Sequence, residues 1–213
     1  MINNIYFAVL ASILPFNALR KFFYCKILKY KIDKKSYLGF LTILHSKECK
    51  IFNSKVKSFN FINSKKIEII NSNIKKFNRI KNLNHFYFEN SIIGNSNTIY
   101  GNKVLNEKSN FLVNKNCTIE NFNFFDLNDT IKLQENCIIS SHCNFWTHGF
   151  DGKREKMQTG SITIFNNVKI EACVTLINSI TIQNNSTIKF GSIVHKSLLE
   201  SGVYSSNEIF KKI

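Results

Sequence analysis

The stretch ITIFNNVKIEACVTLINSITIQNNSTIKFGSIV, residues 162–194, repeats every six residues. Ile162, Val168, Val174, Ile180, Ser186 and Ser192 hold one position. Ile164, Ile170, Leu176, Ile182, Ile188 and Val194 hold the position two residues on. Between each pair stands Thr163, Lys169, Thr175, Thr181, Thr187 or Ile193, so the pattern is in, out, in, then three turn residues. In–out–in is the two-residue period of a strand. Asn166-Asn167, Asn178-Ser179 and Asn184-Asn185 fill the turns, where Asn tolerates left-handed backbone angles. A helix advances about 100° per residue, so steps of six wander around its axis. Six short strands in one register predict an all-β solenoid.

The same repeat extends upstream. Val113, Ile119, Phe125, Ile131, Cys137 and Cys143 hold an inward position in steps of six, with Leu127, Leu133, Ile139 and Phe145 as partners. Asn114, Glu120, Asp126, Lys132 and Asn144 then point outward. From Cys143 to Ile162 the step is nineteen residues, one more than three hexapeptides. The repeat therefore breaks at about 146–161, and WTHGFDGKREKMQTGS reads as a protruding polar loop. Function concentrates in loops carried on a rigid scaffold. From Lys34 to Val104 the repeat is worn and its register slips, which predicts irregular coils. Ile2 to Tyr30 reads as helical, bent at Pro15, with Asn17 as N-cap of the segment from Ala18. After Val194 the strand pattern stops. The expected organisation is a helical segment over 1–33, a solenoid over 34–198 and a tail over 199–213.

The chain has 213 residues, 29 Lys and Arg, and 14 Asp and Glu, for a net charge of +15. Such a balance suggests an anionic partner. The lysines read as scattered, however, with no run of five and no nucleic-acid motif, so no nucleic-acid partner is expected. The six cysteines form no CxxC pair, which argues against a metal framework and for a reduced, cytoplasmic setting. No GxGxxG, GxxxxGK[ST], HExxH or GxSxG motif occurs. Ile5 to Leu14 is too short to cross a bilayer. Leu19, Phe22, Phe23, Ile27 and Leu28 give the N-terminal segment an apolar face beside Arg20, Lys21, Lys26, Lys29 and Lys31. Two roles fit it and both can hold: a cap on the open end of the solenoid, or peripheral contact with the anionic lipid of an inner membrane.

The string from Ile162 to Leu198 resembles the end of a left-handed parallel β-helix acyltransferase of the hexapeptide-repeat family. FWTHG, Phe145 to Gly149, resembles the block around the catalytic histidine in a branch that modifies surface sugars. The resemblance implies three hexapeptides per triangular, left-handed coil, and a homotrimer with its active site between subunits. It also implies transfer of an acetyl group from acetyl-CoA to a sugar hydroxyl of a bacterial surface polysaccharide or its precursor. His148 is then the general base, and imidazole chemistry suits that task near neutral pH. Many relatives carry an SHD-like block whose histidine falls two residues later, where this chain has Phe150. Asp151 is a candidate to orient His148, while Glu155 reads as solvated charge. Trp146 either lines the acceptor pocket or anchors the loop. His142 is either a sugar contact or an exposed turn residue. By resemblance coenzyme A lies along the last coils, past the small positions Ala172, Gly191 and Ser192, with Lys189 and Lys196 toward its phosphates; no metal is implied. The ending SSNEIFKKI departs from the family's proline-containing closing segment. Two alternatives stay open: N-acetylation of an amino sugar, and a degenerate solenoid serving as a scaffold.

Overall fold

The computed structural model of the chain describes residues 2–102, 108–150 and 156–206. It is an all-β parallel β-helix of about nine coils, preceded by two short helices. Each coil closes through three walls. One wall is a nine-stranded parallel sheet of two-residue strands, from Tyr37–Leu38 to Val203–Tyr204. The other two walls share a 14-stranded sheet, because Phe61–Ile70 and Arg79–Glu89 run on around the corner between them. The register reproduces the sequence period: Ile162 lies beside Ile131 and Ile180, and Ile164 beside Leu133 and Ile182. All six are buried. Aromatic rings stack coil on coil within this core, Phe86 on Phe111 at 6.1 Å and Phe125 on Phe145 at 4.5 Å.

The turns explain the asparagines. Asn167, Ser179 and Asn185, the second residues of three turn pairs, have φ of 59°, 60° and 57°. Side-chain amides then link equivalent corners, Asn136 to Asn167 and Asn167 to Asn185, each at 3.0 Å.

The region expected to be irregular forms paired coils as far as Asn102, and its register does slip, between Ile62 and Ser64; Val104 lies outside the described residues. Its repeat looked worn because two corner columns turn polar side chains inward. In one column the backbone N–H of Ser54, Ser72, Ser91 and Cys117 each donates to the hydroxyl of the serine one coil earlier. In the other, the N–H of Asn78, Asn97, Asn123 and Cys143 each donates to the preceding asparagine's Oδ1, at 2.8–2.9 Å. The serine-column steps are 18, 18, 19 and 26 residues, so insertions shift the register between well-formed coils.

Asn78 shows the worth of such a column. Buried within the column, it accepts from Asn97 N at 2.9 Å and donates to Gly94 O at 2.8 Å. Asn78→Ala leaves both groups without a partner, at roughly 1–3 kcal/mol each. For a chain of this size that corresponds to a Tm lower by roughly 4–24 °C. Thermal unfolding followed by circular dichroism checks this; an unchanged Tm removes the column from the stability account.

At the start of the chain, α1 (Ile2–Ser12) and α2 (Asn17–Lys26) close the solenoid's open end. The first coil's backbone groups are satisfied from these helices and the turn after them. Tyr24 Oη accepts from Leu44 N at 3.1 Å and lies 2.9 Å from Thr42 O, Tyr30 Oη accepts from Ser46 N at 2.8 Å, and Arg20 Nε donates to Leu38 O at 3.0 Å. Asn17 is not an N-cap. Phe16 holds that position without a side-chain cap, and Asn17 Oδ1 accepts Leu38 N at 2.9 Å instead. An unpaired strand edge costs more than an uncapped exposed helix start, and the asparagine goes to the edge. The coil also continues past the expected end, since Val203–Tyr204 pairs with Thr187–Ile188 within the supposed tail.

Candidate active site

An excursion leaves the solenoid at the corner where the wall carrying Thr98–Gly101, Phe124–Leu127 and Asn144–Trp146 meets the next. It is the expected loop, and it is a hairpin: His148–Phe150 pairs antiparallel with Met157–Thr159, setting His148 opposite Thr159. Its base is clamped by Thr147, fully buried, whose hydroxyl donates to Asp126 O at 2.8 Å and accepts Asp129 N at 2.9 Å. Gly160 N donates to Thr147 O at 2.9 Å. A Cβ on Gly160 would fall 1.9 Å from Ser179 Oγ and 2.9 Å from Ser179 N, so glycine lets the hairpin lie against the following coil.

That clamp brings His148 onto Asp126. Nδ1 of His148 lies 2.6 Å from Asp126 Oδ2. Asn128 Nδ2 donates to Asp126 Oδ1 at 3.1 Å and lies 2.9 Å from the same ring nitrogen. Asn128 Oδ1 in turn accepts Asn102 Nδ2 at 2.6 Å, which fixes the amide's orientation. Of the two neighbours only the carboxylate accepts, so His148 carries its proton on Nδ1 and donates it to Asp126 Oδ2. Nε2 is then the nitrogen that can take a proton. Asp126 is 6% exposed, although the repeat places it outward. Burial pushes its carboxyl up from the ordinary value of 3.8, against the charge and hydrogen bond of His148 and the hydrogen bond from Asn128. Tyr100, Asn102, Asp126 and Asn128 line a cleft of about 230 Å³ beside this pair.

Aromatic rings surround His148. Trp146 stands beside Asp126 in register and is 36% exposed. Its ring centroid is 5.1 Å from that of Phe124 and 6.1 Å from that of His148, and Phe150 meets the other side of His148 at 6.2 Å. A half-exposed indole next to an imidazole suits a sugar ring, whose C–H face packs on aromatic carbon.

The remaining sequence candidates are spread out. Asp151 and Glu155 lie outside the described residues. His142 occupies the corner before Asn144–Trp146, with φ 61° and its ring stacked on Phe122 at 5.2 Å, while His148 lies past that strand's other end. Among the donor-site candidates, Gly191 has φ 70° and nothing within 4 Å of where a Cβ would be. Ala172 O accepts Gly191 N at 3.0 Å. Ser192 is buried with its Oγ unpartnered among the described residues. Lys189 meets Glu171 at 3.4 Å, and Lys196 is exposed. No group of three or more metal-ligating side chains occurs among the described residues. The residues missed in the sequence were Asp126, Asn128, Asn102, Tyr100 and Thr147. The period gave no signal for Asp126, since it sets that residue level with Asn144, whereas the strand pairing sets it beside Trp146.

Neither a family model nor a curated protein matches this chain in sequence. Solved structures do match in shape. The polysialic acid O-acetyltransferase OatWY aligns with a TM-score of 0.50 at 14% identity, over 84% of this chain and 81% of that one. The polysialic-acid-specific acetyltransferase NeuO aligns with a TM-score of 0.35 at 16% identity, over 83% and 76%. A hexapeptide-repeat acetyltransferase from Vibrio cholerae O1 biovar eltor, complexed with acetyl coenzyme A, aligns with a TM-score of 0.28 at 13% identity, over 95% and 79%. The likeness to OatWY is one of fold: the chain is a left-handed parallel β-helix.

Proposed function

We propose that this chain is an acetyltransferase that moves an acetyl group from acetyl-CoA to a hydroxyl of a sugar or glycan, with His148 as general base. The observation that carries the proposal is the 2.6 Å contact of His148 Nδ1 with Asp126, which lines a cleft and stands beside Trp146 in register. Nε2 takes the acceptor's hydroxyl proton as the oxygen attacks the thioester carbonyl carbon. The tetrahedral intermediate collapses, the C–S bond breaks, and the leaving thiolate takes the proton back from the imidazolium. Asp126 holds the tautomer and balances the imidazolium charge while it exists. The bare backbone at Gly191 allows close approach of a pantetheine arm along the last coils.

A cleft of about 230 Å³ is small beside the 300–1,000 Å³ usual for small-molecule sites. A second wall is needed, and a homotrimer supplies one from the neighbouring subunit. The reaction belongs in the cytoplasm, where acetyl-CoA is available. The acceptor is a bacterial surface glycan or its precursor, and polysialic acid, the acceptor in the name of OatWY, is the first polymer to try. The test is thiol release from acetyl-CoA across a panel of sugars, nucleotide sugars, amino sugars and glycan oligomers, with mass spectrometry of the product. Release that requires an acceptor, with one acetyl added through an ester, is the expected outcome. Release no faster than the acceptor-free blank with every member of the panel overturns the reading.

A further inference from the structure

We infer that the helical cap docks end-on onto an anionic lipid surface. Residues 1–80 hold 16 of the 29 Lys and Arg but 3 of the 14 Asp and Glu, a net +13 out of the chain's +15. The charge that reads as scattered along the sequence is thus gathered by the fold into the cap and the first coils. α1 packs its small face, Ala8, Ala11 and Ser12, on the solenoid. The opposite face is Tyr6, Leu10 and Ile13, exposed by 65%, 53% and 48%, and Phe16 beyond it is 67% exposed. A solenoid cap that meets only water needs a polar outer face; this one is apolar, and Lys26, Lys29 and Lys31, at the end of α2 and just after it, are exposed.

An apolar face accompanied by exposed lysines is the chemistry of an interfacial helix, and the two together supply the two signals that stable attachment takes. Beside the cap, Lys55, Lys57 and Lys76 border a groove of about 460 Å³ with Tyr37, suited to a phosphate headgroup. A second copy fits the surface poorly, because two ends of net +13 repel each other. No described helix is long and apolar enough to cross a membrane, so the attachment is peripheral. Counting from the cap, Phe124–Leu127 and Asn144–Trp146 are the fifth and sixth strands of their wall. At about 4.8 Å per strand that puts the His148 cleft about 20–25 Å from the first coil, within reach of a glycan that grows from a membrane-held carrier. The docking itself stands independently of the acetyl-transfer reading.

The experiment is co-sedimentation of the full chain with phosphatidylcholine vesicles, with and without phosphatidylglycerol, at low and high salt. Wild type binds the anionic vesicles only, and releases at high salt. Lys26→Glu with Lys29→Glu and Lys31→Glu weakens binding about 100-fold, and Leu10→Asp with Ile13→Asp weakens it at least 10-fold. The lysines are exposed, so the triple variant carries the test even if the apolar pair fails to fold. Equal binding to both vesicle types, no binding by wild type, or undiminished binding of the triple variant overturns the inference. So does a cap-dependent dimer in sedimentation velocity that Leu10→Asp abolishes.

Discussion

His148→Ala lowers acceptor-dependent thiol release by about 10²–10⁴-fold, the usual worth of a positioned general base. The loss falls on kcat. The cleft keeps Tyr100, Asn102, Asp126 and Asn128, so KM for the acceptor changes little. His142→Ala is the matched control. Its ring stacks on Phe122 at a corner on the other side of the strand Asn144–Trp146, and activity stays within a factor of about 2. The hairpin is held by Thr147 and Gly160 rather than by the imidazole, so the variant should keep its fold. Equal rates from wild type and His148→Ala would falsify the base assignment, and a loss shared by His142→Ala would point to a site spread along the wall.

What the sequence made legible followed from one physical rule, that alternate residues of a strand face opposite ways. Where inward positions were aliphatic, as from Ile162 to Val194, strands, turns and register could all be read directly. Where they were Ser or Asn the rule misled. A polar residue inside a β-helix is stable when its hydroxyl or amide takes the N–H of the next coil, and a single chain position does not reveal that partner. Asp126 was hidden for the converse reason. It is outward by period, yet the hairpin and Asn128 cover it, and burial by a loop from a later coil is not a property of its own neighbourhood. The loop was legible because it broke the period; His148 was singled out by the resemblance of FWTHG to a family block, not by the period. The charge asymmetry was in the sequence all along, but only stacking turns position along the chain into height along an axis.

Asp126→Asn separates position from stability. Activity falls by about 10²–10⁴-fold, because a neutral amide neither balances the imidazolium nor fixes the tautomer. Its NH₂ can instead donate to Nδ1, which moves the ring proton to Nε2 and disables the base. Stability moves the other way. Burial holds the Asp126 carboxyl above its ordinary 3.8, so the folded chain grips that proton more tightly than the unfolded chain does. Folding stability is therefore lost as pH rises from the ordinary carboxylate value through the raised one, and above that window the ionised carboxylate is a standing cost that His148 and Asn128 only partly offset. Asn at 126 carries no such cost. The Tm of Asp126→Asn should match or exceed that of wild type at neutral pH, and the gap should close as pH falls to about 4 and below. A side chain whose removal abolishes turnover while leaving the fold as stable or more so is kept for chemistry. If Tm and kcat fall together, Asp126 is a structural member of the corner, and the orientation of His148 must come from elsewhere in the hairpin.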